Sequence, residues 1–162
     1  MLRQPPWTNQ ALVVYHGTLD THTPSVLAGI NLAKCDNDSD FGRGFYTTTN
    51  LKQARIFAKT AQKINGGRPG VVSFRLDRDA LAALQSLWFV RGSADADDFW
   101  HVVESCRRFG TTNRAGNQWY DIAVGPVARW YQTRSVWSDY DQISFHTDKA
   151  VKILDNSEKG VI

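Results

Sequence analysis

Three short stretches of the chain carry side chains that can do chemistry: "YHGT" at 15–18, "DFGRGFYTTTN" at 40–50 and "YDQISFHT" at 140–147. His16 offers an imidazole that both donates and accepts hydrogen bonds, although a histidine at a strand end is as readily a satisfied structural residue. In the second stretch, glycines two apart mark backbone that bends sharply or lies close against something. Arg43 sits in that loop, where free amides and one guanidinium suit a dianion, or it is merely solvated. The aromatics Phe45 and Tyr46 then open a strand, so the stretch reads as a ligand floor or as an ordinary hairpin. The third stretch alternates Ile143 and Phe145 against Ser144 and His146, with Gln142 beside the carboxylates Asp139 and Asp141.

These residues need elements to hold them. "QALVVYH", residues 10–16, predicts a buried strand that delivers His16 at its end, where Gly17-Thr18 breaks the run. Pro24-Ser25 opens a short helix that Gly29 stops, and a polar loop follows. Residues 50–64 predict a helix with Asn50 as N-cap and Leu51, Ala54, Ile56, Phe57, Ala61 and Ile64 as a broad apolar face. "INGGRPG" is a turn, "VVSFRL" a strand, and Asp77 caps a helix through Leu84. "SLWFV" is a short strand, residues 95–109 a helix, "TTNRAGN" a loop, and "WYDIAVG" a strand ending at Gly125-Pro126. "AVKILD" follows "DQISFHT" as a last strand. Strands from both halves interspersed with helices predict an α/β or α+β domain with a largely antiparallel sheet.

At 162 residues and 18.2 kDa the chain reads as one domain, 1–162, with 1–9 as a flexible N-terminus. Met1–Thr8 lacks the apolar run of a signal peptide, and no window approaches the ~20 apolar residues of a membrane span, so a cytoplasmic location without a membrane partner is expected. Cys35 and Cys106 are isolated thiols that support neither a metal site nor a disulfide. The net charge is +3, and between His101 and Ser138 five arginines (107, 108, 114, 129 and 134) face only Glu104 and Asp121. Trp119, Tyr120, Trp130, Tyr131 and Trp137 share that segment, a pattern that suits either a nucleic acid or an amphipathic element with a solvated basic face.

In order and in context, "YHGT", "FGRGFY" and "DQISFHT" resemble the motifs of the ADP-ribosyltransferase superfamily, in its diphtheria-toxin and poly(ADP-ribose)-polymerase-like branch. The variant is most similar to a group of small, toxin-associated bacterial members, and the resemblance spans roughly Val13 to Leu154. It implies split antiparallel sheets with flanking helices and NAD as co-substrate in the cleft between them. By the resemblance, His16 bonds a ribose hydroxyl of NAD, the backbone of Gly17 with Thr18 beside it holds the carboxamide, and Tyr46 stacks on the nicotinamide. Phe45 lines the same site and Arg43 faces the pyrophosphate. Phe57, eleven residues beyond Tyr46, forms the second wall of the nicotinamide slot or simply packs in the core.

The third motif departs from the pattern, since Gln142 stands where many relatives carry a catalytic glutamate. An amide stabilises an oxocarbenium-like transition state less than a carboxylate does, but it still orients the 2′-hydroxyl. The expected activity is therefore mono-ADP-ribosylation: cleavage of NAD at the nicotinamide glycosidic bond and transfer to a macromolecular acceptor, nucleic acid or protein. A role as a toxin or as an effector delivered into a target cell, with an antitoxin or immunity partner, follows from the resemblance alone. The alternatives are an NAD glycohydrolase and a weakened NAD-binding or partner-binding module.

Overall fold

The computed structural model describes residues 9–92, 96–110, 118–130 and 134–162, and of Trp130 only the backbone. The expected N-terminal segment up to residue 8, the "TTNRAGN" loop with Arg114, the Trp130 side chain and Tyr131 lie outside these residues. The architecture is mixed α+β, with two sheets and five α-helices among the described residues.

The first sheet runs β1 (Leu12–Leu19), β3 (Pro69–Leu76) and β7 (Glu158–Val161), in the order β1-β3-β7 and antiparallel throughout. The second is ordered β2-β6-β5-β4, from β2 (Phe45–Thr47), β6 (Arg134–Phe145), β5 (Ile122–Trp130) and β4 (Ser86–Trp88); only β4–β5 is parallel. Alternation fixes which face each strand buries. Val14, Val72, Phe74 and Leu76 meet Phe45, Ile143 and Phe145 in one core between the sheets.

Helix α2 (Leu51–Asn65) starts as expected at Asn50, whose side chain accepts from the backbone N–H of Lys52 and Gln53. Its buried residues are Gln53, Ala54 and Ala58, however, while Ile56, Phe57 and Ile64 are exposed. The expected broad apolar face is thus a narrow seam of small residues against β1. Helix α4 (Ala96–Phe109) instead buries Phe99, Trp100, Val103 and Cys106 against the second sheet, in a core with Phe41, Ala123 and Ala128. Helices α1 (Thr23–Ala28) and α3 (Arg78–Ala82) are short, and Asp77 caps α3 as expected.

Three expected boundaries differ. Strand β1 runs through Gly17-Thr18 to Leu19, because all of 12–19 pairs with β3. Strand β5 likewise passes through Gly125-Pro126; a Cβ at Gly125 would lie 3.1 Å from the Phe41 ring, so the glycine makes room for packing and ends nothing. "AVKILD" belongs to helix α5 (Asp148–Asp155): the Thr147 side chain accepts from the Ala150 N–H, and Ala150, Val151 and Leu154 line one helical face. The last strand is β7, built from the next residues.

Candidate functional site

The two sheets meet where β1 passes β2. Tyr15 and Thr48 exchange both backbone hydrogen bonds there, at 2.8 and 2.9 Å. An antiparallel strand turns alternate residues' polar groups to opposite edges. Because Tyr15 faces β2, Gly17, two residues on, presents its N–H and C=O to the same edge. The strands part beyond Tyr15, and the His16 ring enters the gap: its Nδ1 donates to the Tyr46 carbonyl at 2.7 Å, and its plane stacks on Phe45 at 4.2 Å between centroids. A carbonyl only accepts, so Nδ1 carries the proton and Nε2 keeps its lone pair. Burial pushes the His16 pKa down, opposed in part by the Tyr46 carbonyl, so the ring is neutral near pH 7.

Gly17 is required sterically as well. A Cβ there would lie 2.0 Å from the Ala54 carbonyl oxygen and 2.9 Å from the Ala58 nitrogen, so α2 seats directly on β1 because position 17 has no side chain. That contact carries the first turns of α2 along the seam. Phe57, on the same helix, approaches Tyr140 of β6 with ring centroids 6.2 Å apart, and Tyr140 stacks on Trp137 at 5.4 Å.

Tyr46 pairs with Ser144 across β2 and β6, so Tyr46, Ser144 and Gln142 project from one face while Phe45 projects from the other. The Tyr46 hydroxyl accepts from the Phe41 N–H and donates to the Gly42 carbonyl, both at 2.8 Å, which ties the glycine loop to the ring. Burial raises this phenol far above its ordinary pKa. Gln142 is 6 % exposed; its Nε2 donates to Asp40 Oδ2 at 2.7 Å and to the Pro126 carbonyl at 2.8 Å.

The expected residues thus divide. His16 and Gly17 come together at the seam with the Tyr46 backbone carbonyl, whereas the Tyr46 ring projects from the opposite face, which Gln142 shares and Phe57 flanks through Tyr140. Phe45 supports His16 from the other side. Thr18 engages His22 at 3.4 Å, and Arg43 is exposed, donating to the Ala33 carbonyl at 3.2 Å. Asp141 points away from Gln142: its carboxylate takes bonds from the Thr48 and Thr49 hydroxyls and the Thr49 N–H, beside the start of α2.

Other residues escaped the sequence reading. Asp40 is 6 % exposed and ion-paired to Arg107, so one of the arginines expected on a basic surface is half-buried and neutralised by an internal carboxylate. Of the others, Arg134 pairs with Glu104 and Asp97, and Arg129 lies over the Trp137 ring at 4.8 Å. His146 donates from Nδ1 to the Arg43 carbonyl and accepts at Nε2 from Ser144, both consistent with a neutral ring whose pKa burial lowers to about 4. Burial, and then the nearby Asp40 charge, pushes the Cys106 thiol up to about 11.

A depression of about 600 Å³ between β4 and α4, lined among others by Trp88, Val90, Asp98 and His101, shares none of these residues. Among the described residues no group of three or more His, Cys, Asp or Glu side chains could hold a metal ion, and no helix is long and apolar enough to cross a membrane.

The fold and seam define a two-sheet α+β protein with a histidine and, among the described residues, an uncovered glycine edge where the sheets part, and a buried glutamine on the opposite face of the second sheet. Residues 12–136 match the model of a family described as "Protein of unknown function (DUF3990)", and the chain belongs to that family. The match includes the His16 and Tyr46 segments and stops ahead of Gln142. No curated protein and no solved structure matches the chain.

Proposed function

We propose that the protein is a mono-ADP-ribosyltransferase of the ADP-ribosyltransferase-like fold, cleaving NAD at the nicotinamide glycosidic bond and passing ADP-ribose to a macromolecular acceptor. One observation carries this reading: three segments far apart in sequence, with His16-Gly17, Tyr46 and Gln142, lie on neighbouring strands, β1 bridged to the residue after β2 and β2 paired with β6. Among the described residues nothing pairs with the outer edge of Gly17, which offers one donor and one acceptor, the complement of a carboxamide. His16 Nε2 has no hydrogen-bond partner among the described residues and is available to a ribose hydroxyl. Tyr46 and Phe57 supply aromatic surface for the nicotinamide ring.

In the reaction the C1′–N bond breaks and its electron pair leaves with nicotinamide; the acceptor's lone pair then forms the new bond to C1′ and its proton passes to solvent. Positive charge grows on the ribose as the bond breaks, and an acceptor aimed at the 2′-hydroxyl stabilises it. The amide of Gln142 fits one transfer better than chain growth, because it is a poor base toward a further sugar hydroxyl.

The test is incubation with NAD labelled in the adenylate moiety, with and without cell lysate. Nicotinamide release, with label joining protein or nucleic acid only when lysate is present, is the expected result. Release that is unchanged by lysate, with no label transferred, replaces the reading with a glycohydrolase. Neither release nor binding of NAD overturns it.

A further inference from the structure

The Gln142 amide has an orientation that its partners dictate. Asp40 Oδ2 lies 2.7 Å from Nε2 and the Pro126 carbonyl 2.8 Å from it; a carboxylate and a carbonyl both accept, so both N–H groups of the amide are committed. Its Oε1 therefore points the other way. Oε1 takes no hydrogen bond from the described residues, and it is not among the fully enclosed side-chain atoms that lack a partner, so it reaches open space. Asp40 is itself held rigidly: Arg107 donates to Oδ1 from Nε at 3.0 Å and from its terminal nitrogen at 2.5 Å, and the Ala128 N–H donates to Oδ2 at 2.9 Å.

We propose that Asp40 is a positioning residue: together with the Pro126 carbonyl it locks the Gln142 amide so that Oε1 faces outward as a fixed acceptor for a substrate hydroxyl. The proposal rests on the ADP-ribosyltransferase reading for the identity of that hydroxyl, and on the hydrogen-bond network alone for the lock. It also accounts for glutamine at position 142. A glutamate would set two carboxylates 2.7 Å apart and turn an acceptor toward the Pro126 carbonyl, whereas an amide satisfies both neighbours and still offers one acceptor.

Two measurements test this. In wild-type protein, without NAD, the two Gln142 side-chain amide protons are expected to give separate resonances that exchange slowly with solvent. Exchange as fast as that of an exposed glutamine overturns the lock, whatever the protein does to NAD. The second measurement is nicotinamide release by Gln142→Glu against pH. Groups facing position 142 include Asp40 and Arg107, with Cys106 close to Asp40 and Tyr46 on the same strand face. Two adjacent carboxylates share a proton, and the protonated acid alone reproduces the donor toward Asp40. The variant should therefore be slower than wild type by on the order of 10- to 100-fold at pH 8 and recover as pH falls toward about 5. A Gln142→Glu enzyme faster than wild type, with a flat pH profile, overturns the proposal. Where wild type itself releases no nicotinamide, the functional reading fails and the amide exchange still decides the lock.

Discussion

Helices α2 and α4 are nearly the same length, 15 and 14 residues, and both are amphipathic, yet they are seated in opposite ways. Helix α4 closes its sheet with Phe99, Trp100 and Val103, and its last turn brings Arg107 onto the buried Asp40 carboxylate. Helix α2 rests on β1 through Ala54 and Ala58 and leaves Phe57 43 % exposed beside the seam. One helix seals; the other approaches closely and keeps its aromatic surface open.

That contrast can be broken most sharply on the sealed side. Phe99→Ala should lower stability by about 3–5 kcal/mol, read from the denaturant midpoint, because a fully packed ring leaves a cavity. A loss below about 1 kcal/mol would show that α4 is not a seal. The next effect is one of pH. Burial holds the His146 pKa at about 4, so the unfolded chain binds a proton that the folded chain refuses between the ordinary histidine value and 4. Stability is therefore complete above about pH 6.5 and falls as pH drops toward 4, by up to about 3 kcal/mol from this residue. His16, lowered in the same direction, adds to the slope. His146→Gln should flatten the dependence of the urea midpoint on pH, and an unchanged slope would remove His146 as its source.

On the open side, Gly17→Ala should cost about 1–3 kcal/mol, since its Cβ must push α2 off the Ala54 carbonyl, and NAD cleavage should fall with it. Wild-type stability in this variant would mean that α2 is free to shift. The smallest expected change in stability, within about 0.5 kcal/mol, is that of Phe57→Ala. Its affinity for NAD should nonetheless weaken by about 0.5–1.5 kcal/mol, measured by calorimetry. The two halves of that result together separate an open wall from a core residue.

Much of this arrangement was legible in the sequence where local chemistry decides it. Asn50 and Asp77 read as caps and are caps, and Gly66 and Gly67 read as a turn and adopt positive φ. What failed depends on partners distant in the chain. Gly17 and Gly125 read as breaks because a glycine alone does not reveal whether it bends a strand or admits a neighbour, and here Ala54 and Phe41 are those neighbours. "AVKILD" suits either period, and the Thr147 cap three residues upstream was the signal that favours helix. Arg107 looked solvated in a run of arginines because Asp40, its partner, stands 67 residues away. The aspartate opening "DFGRGFY" was on view, but only the fold reveals that it reaches Gln142.

The Tyr15–Thr48 pair has an evolutionary consequence. Two hydrogen bonds fix the offset of β1 against β2 independently of the long excursion between them. Within that excursion, the stretch from Gly29 to Ser39 contributes turns and a short 3₁₀ segment. Lengthening such a connection costs little, since closure entropy grows only with the logarithm of its length. Ile30, Leu32 and Cys35 of that stretch pack against the core, so added length is best absorbed at the exposed residues 36–38, where it leaves His16 and Tyr46 in register.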